Sequence, residues 1–180
     1  MANRYFSYKW VVPTVILAMG IGSYLYYSRD YRIKVEQGNQ FENIVAPGIN
    51  GEAVSLYGIK NKLVLVQFWA SWCAPCMREM PELKAVYEAY NHRTFRNADG
   101  FEVFAYALDA DTAKWKNALQ RLEIPWAYNV NEGKSFRSNT AQRLGVSAIP
   151  TNVLIDPQHN IVGVDLDMDD LAKTLERFRK

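Results

Sequence analysis

Leu63-Val-Leu-Val-Gln-Phe-Trp-Ala-Ser-Trp-Cys-Ala-Pro-Cys-Met-Arg-Glu-Met-Pro81 is the stretch whose reading decides the fold. Its first seven residues are apolar apart from Gln67 and rich in β-branched side chains, which predicts a buried strand. The two cysteines follow at once, where a helix is expected from about Cys76 to Tyr90 with Met80, Leu83, Tyr87 and Tyr90 along one face. Both sulfurs therefore sit at a strand-to-helix corner. Pro81 falls inside that helix, removes the hydrogen bond to the Met77 carbonyl and is expected to kink it.

Two cysteines three residues apart at a helix start have unequal surroundings. Cys73 lies at the N-terminal end, where unpaired backbone N–H groups and the helix dipole favour a thiolate. Its pKa is expected below the free value of roughly 8.5. Cys76 lies about one turn further on. From there it can attack a mixed disulfide formed at Cys73 and release the partner, so Cys73 reads as nucleophile and Cys76 as resolver. Pro75 lacks an N–H and suits the first turn, stiffening the small ring that an internal disulfide would close. A zinc site would need further ligands, but there is no third cysteine, and His92 and His159 lie far apart in loop-like contexts. An inert structural disulfide across so short a loop would stabilise little. Redox chemistry with no metal and no cofactor is the favoured reading over both alternatives.

Phe68-Trp-Ala-Ser-Trp-Cys-Ala-Pro-Cys76, continuing Met77-Arg-Glu-Met-Pro-Glu-Leu83, resembles the thioredoxin superfamily, in particular its membrane-anchored TlpA/ResA-like branch of thiol-disulfide oxidoreductases. Ala148-Ile149-Pro150-Thr151 resembles that superfamily's cis-proline loop, and the likeness runs over residues 41–178. The resemblance implies an α/β thioredoxin-like fold with a mixed central sheet, an N-terminal β-hairpin and a central insertion. It implies a cis bond before Pro150, which would lie beside Cys73. The Ile149 backbone would then pair with an extended substrate segment, with Trp72 and Thr151 as further substrate-binding positions. Gln67 stands where thioredoxins usually carry a buried aspartate that moves protons to and from the second cysteine, and glutamine cannot titrate. Glu79 matches an acidic residue that ResA-like proteins place near the active site, as supporting acid or base or as a tuner of the cysteines. The opposed reading of Glu79 is a solvated first-turn glutamate that merely suits the helix dipole.

Composition suits one globular domain plus an appendage: 180 residues, 49% hydrophobic and 22% charged. The net charge of +2 is unevenly placed, because residues 1–34 hold five Lys/Arg and one Asp, leaving 16 basic and 18 acidic residues elsewhere. A basic nucleic-acid surface is thereby excluded. After a short tail, residues 1–9, comes an uncharged run of 18 residues, 10–27, within the roughly 17 to 25 that span a bilayer. Trp10 at one end and Tyr24, Tyr26 and Tyr27 at the other are placed like interfacial anchors. This reads as one transmembrane signal-anchor, with a cleaved signal peptide as the alternative because Gly20-Ile21-Gly22 is a weak small-x-small site. Basic residues flank both sides, so the charge rule does not orient the span. The family resemblance implies a single-pass protein of the cell membrane whose domain stands on the non-cytoplasmic, periplasmic or extracytoplasmic side.

Residues 28–40 read as a linker and 41–180 as the domain. Ile49-Asn50-Gly51-Glu52 reads as a hairpin turn. A strand is expected over 101–108, and Asp111 can cap a helix reaching Leu122. A short strand over 125–130 and a helix over 138–144 closed by Gly145 come next. Strands either side of a turn at 157–160 lead to a final helix bearing Leu171, Leu175 and Phe178.

The resulting expectation is a membrane-tethered reductant of disulfides in exported partner proteins. The resemblance implies cytochrome c maturation or envelope redox homeostasis as its setting, and electrons from a membrane thiol donor. A disulfide-donating oxidase would use the same residues, and a non-catalytic thioredoxin-fold binding module is the other alternative.

Overall fold

The computed structural model describes residues 15–20 and 33–180, which belong to two separate units of the chain, residues 1–31 and 32–180. In the first unit residues 15–20 are helical, with Val15, Ile16, Leu17 and Met19 exposed. Among the described residues no helix is long and apolar enough to cross a membrane. The rest of the expected span, and the tail before it, lie outside the described residues.

The second unit runs β1 (Val45–Pro47), β2 (Ala53–Ser55), β3 (Leu63–Trp69), α1 (Ala74–Tyr90), β4 (Phe101–Ala107), α2 (Thr112–Leu122), β5 (Tyr128–Asn131), α3 (Asn139–Arg143), β6 (Thr151–Ile155), β7 (Ile161–Val164) and α4 (Met168–Phe178). Short 3₁₀ turns occupy Leu56–Gly58 and Ser135–Arg137. The main sheet has the order β5-β4-β3-β6-β7, with β3, β4 and β5 parallel and β6 and β7 each antiparallel to its inner neighbour. β1 and β2 form a separate antiparallel hairpin, turned at Gly51 with φ +86°. The expected thioredoxin-like arrangement with its mixed sheet and hairpin is therefore present. β5, the Ser135–Arg137 turn and α3 stand between α2 and β6.

β3 is the axis of this unit. Every one of its seven residues is buried, as is every residue of β4 beside it, which accounts for the unbroken apolar run in place of an alternating one. α2 opens on Asp111, whose carboxylate accepts from the N–H groups of Ala113 and Lys114, and α4 opens on Asp167, which accepts from Asp170 N. Ser138 does the same for Ala141 in α3.

Two boundaries depart from expectation. α1 begins at Ala74, two residues earlier than expected, because the Cys73 sulfur itself serves as its N-cap. It runs on through Pro81 to Tyr90, its expected end, with Met80, Leu83 and Tyr87 buried on either side of the proline. β5 starts at Tyr128 because the Asn129 side chain bonds to the carbonyl of Trp126 and accepts from its indole, turning the chain there.

The expected linker also proves to be part of the domain from Ile33 onward. Ile33 is buried, and Lys34 N donates to Leu144 O at 2.9 Å. Gly38 N donates to Ile161 O and Ile161 N to Asn39 O, each at 2.8 Å, so this strap covers the open edge of β7. Phe41, fully buried, ends it. Phe41→Ala should lower stability by about 3 to 5 kcal/mol, read as a shift in urea midpoint at unchanged slope, since the strap loses its apolar anchor.

Candidate active site

The sheet delivers the two cysteines to a fixed place. β3 ends at Trp69, whose carbonyl accepts from Leu108 N at 2.8 Å, and Cys73 N returns to Ala70 O at 3.1 Å. The turn between them is held by Asp109, a buried carboxylate that accepts from both the backbone N–H (3.0 Å) and the hydroxyl of Ser71. Cys73 then takes the N-cap position of α1, with Pro75 in the first turn, and its sulfur accepts from Cys76 N at 3.2 Å. The sulfurs are joined as a disulfide. Cys73 is 4% exposed and Cys76 0% exposed, so an incoming group reaches Cys73 first.

A sulfur held this way is a better anion than a free thiol. A hydrogen bond to a charged acceptor contributes roughly 1.5 to 3 kcal/mol, and the end of a helix about 0.3 to 1 kcal/mol more. At about 1.4 kcal/mol per pKa unit, the direct N–H contact is the larger influence on Cys73 once the pair is reduced.

The remaining sequence-predicted residues fall around that corner unequally. Phe68 pairs with Thr151 across the sheet, so the loop before β6 lies at the same end of the sheet as Cys73. There the Ile149–Pro150 bond is cis and both residues are half-buried. Thr151 turns inward: it is buried and its hydroxyl donates to Asp165 Oδ1. Trp72 is 57% exposed, while Trp69 is core. Gln67 is fully buried and donates from Nε2 to Glu79 Oε2 at 3.3 Å, leaving its Oε1 without a partner among the described residues. Glu79 is half-buried and thus neither a freely solvated glutamate nor sealed in the core.

Three residues of this neighbourhood were not foreseen. Asp109 could have been suspected as a carboxylate placed two residues after a fully buried strand. Phe136, on the Ser135–Arg137 turn, stands with its ring centroid 6.2 Å from that of Trp72, a meeting that depends on the sheet bringing distant loops together. Glu132 fastens that loop, accepting from Asn139 N at 3.0 Å and from the hydroxyls of Tyr106 and Thr140. Burial pushes its carboxyl up, but the hydrogen bonds from Thr140, Tyr106 and Asn139 outweigh it and hold the group below the ordinary glutamate range.

Comparison with known proteins agrees with this geometry. The Thioredoxin-like family matches residues 61–172. A thiol-disulfide oxidoreductase ResA of Bacillus cereus is 26% identical over 173 residues, covering 94% of this chain and 92% of its own. ResA of Bacillus subtilis is likewise 26% identical, over 90% of this chain and 84% of its own. Among solved structures, the thioredoxin domain of a Bacteroides vulgatus thiol-disulfide oxidoreductase superposes with a TM-score of 0.72 at 28% identity, covering 82% of this chain and all of that domain. A thiol:disulfide interchange protein DsbE of Chlorobium tepidum gives 0.65 at 25% identity, covering 80% of this chain and 98% of its own.

Asp109→Ala should cost about 1 to 3 kcal/mol in chemical denaturation, the penalty of leaving the Ser71 donors unpaired at a buried turn. Glu132→Gln should destabilise at pH 7 and cease to matter in acid. A lowered carboxyl contributes stability above its unfolded pKa, about 4.3, and loses it as pH falls through the folded value. Stability curves of the two proteins measured from pH 7 downward should therefore converge.

Proposed function

Because this chain belongs to the thioredoxin-like family and is a thiol-disulfide oxidoreductase, we propose that it is a membrane-tethered reductant of disulfides in exported proteins, acting through its Cys-Ala-Pro-Cys site. The observation that carries this reading is the Cys73 sulfur at the start of α1, bonded to Cys76 and accepting from its N–H.

In the reduced enzyme the Cys73 thiolate attacks one sulfur of a partner's disulfide. A mixed disulfide forms to Cys73 and the partner's other sulfur leaves as a thiolate, which takes a proton. Cys76 then loses its proton and attacks the Cys73 sulfur, releasing the partner's second thiolate and closing the Cys73–Cys76 disulfide. Two electrons pass from the enzyme dithiol to the partner. Glu79, oriented by Gln67, is assigned to receive the Cys76 proton, since the glutamine beneath it cannot. Pro150 and the Ile149 backbone form the shelf on which an extended partner segment lies, with Trp72 at its rim. Thr151 supports that shelf through Asp165 and does not touch the partner with its side chain.

The uncharged run 10–27 and the resemblance to anchored relatives support a single membrane span, with residues 1–9 left in the cytoplasm and the domain outside it. A membrane thiol donor would restore the dithiol. The resemblance favours cytochrome c-type biogenesis or envelope redox homeostasis as the setting.

Insulin reduction separates the cysteine roles. Cys73→Ser and Cys76→Ser should both abolish turnover, and only Cys76→Ser should accumulate a mixed disulfide with the partner. A reductant should equilibrate below about −200 mV, whereas a value in the donor range of about −180 to −120 mV would turn the direction around. Glu79→Gln should shift the pH dependence of Cys76 reactivity, and an unmoved titration would leave Glu79 without a proton-transfer role.

A further inference from the structure

We propose that the loop between β5 and α3 extends the active-site surface into a docking strip for an extended protein segment carrying an aromatic or aliphatic side chain next to acidic residues. The inference rests on the oxidoreductase reading only in supposing that this segment also carries the disulfide presented to Cys73.

The sheet puts the loop in reach. β3, β4 and β5 are parallel, so the segment after β5 emerges at the same end as Cys73, on the side away from Pro150. There Phe136 approaches Trp72 with the rings tilted at 56°. Trp72 leaves more than half of its surface in water, and Phe136 is half-buried beside it. An exposed indole backed by a second ring is an anchor of the kind that dominates protein interfaces.

The loop is also tied down by hydrogen bonds at both ends. Gly133 N donates to Asn131 Oδ1 at 2.6 Å, Ser138 N returns to Ser135 O at 3.0 Å, and Glu132 grips the start of α3. Ser135 is held at φ +52°, a conformation costly for a residue with a Cβ. Those constraints fix Phe136 where it meets Trp72.

Charge selects the occupant. Lys134 and Arg137 flank Phe136, both exposed, and among the described residues neither forms an ion pair. Beyond Pro150, Asp165 and Asp167 follow β7 at the same end of the sheet, Asp165 N bonding to Asn152 O at 2.9 Å. Two exposed cationic groups thus flank Phe136 itself, with Glu132 and Asp111 the carboxylates nearest to them, one taken up by hydrogen bonds to the start of α3 and the other by the start of α2, while the β7 side carries Asp165 and Asp167 without a cation among them. A segment crossing this surface is favoured with its acidic residues over Lys134 and Arg137, and such charges act mainly on register and encounter.

The test uses the full, oxidised chain in detergent micelles and two short peptides with serines in place of cysteines. Both carry a phenylalanine, flanked by Asp and Glu in one and by Lys in the other. Dissociation constants come from shifts of the Trp72 indole N–H. The acidic peptide should bind about tenfold more tightly, and Phe136→Ala should weaken it about fivefold or more while Phe136→Tyr retains it. Reversing Lys134 and Arg137 together to Glu should invert the preference. Equal constants for the two peptides, no binding of either, or a Phe136→Ala protein within twofold of the parent would overturn the strip. Turnover of a small aromatic disulfide by the reduced protein is measured alongside and should be unchanged by Phe136→Ala. Its absence in the parent would count against the oxidoreductase reading and not against the strip.

Discussion

The hydrogen bond from Cys76 N to the Cys73 sulfur is the constraint on which the remaining architecture converges. It does two things at once. It satisfies one of the donors that every helix leaves unpaired at its start, and it gives the sulfur a partner that is worth more when the sulfur is charged. The same contact therefore begins α1 and, in the proposed mechanism, prepares the nucleophile. An exposed cap would be shared with water and lose much of its effect, whereas this one is placed at a buried corner.

Keeping that corner fixed falls to buried residues of the sheet and of the turn after it. β3, buried on both faces between β4 and β6, fixes where the chain emerges, and Asp109 fixes the turn that follows. A fully buried carboxylate is costly unless its oxygens are satisfied. Here Ser71 supplies both a backbone and a side-chain donor, so losing either member leaves the other stranded. Gln67 shows the opposite economy. It brings a neutral amide into the core below the cysteines, spends its N–H on Glu79 and leaves its carbonyl oxygen unpaired among the described residues. That placement moves the titratable group from the strand to the helix, closer to solvent.

How much of this was legible in the chain follows from the range of the interactions. The apolar run at Leu63, the cysteine spacing, the cap Asp111 and the turn at Gly51 are local features, and each appears where its residues point. The cis bond at Pro150 came from resemblance, since the dipeptide alone does not distinguish it. α1 passes Pro81 and reaches Tyr90, the end that its apolar face marked out, with packing on both flanks of the proline. The strap at residues 33–40 looked like a polar linker because its two apolar anchors, Ile33 and Val35, stand among polar residues and much of the rest of its attachment is through backbone groups. Asp109 against Ser71 and Phe136 against Trp72 lie far apart in sequence and meet only through the order of the strands.

The proposed chemistry stands on one asymmetry: Cys73, at the start of α1, is to ionise readily and be reached first, while Cys76 is fully buried. Alkylation of the reduced protein, followed residue by residue as pH is raised, tests it most directly. Cys73 should react first, with an apparent pKa below the ordinary thiol value of about 8.5, and Cys76 should stay slow until well above it. Two thiols that titrate together at or above that value, and react equally slowly at neutral pH, would contradict the account.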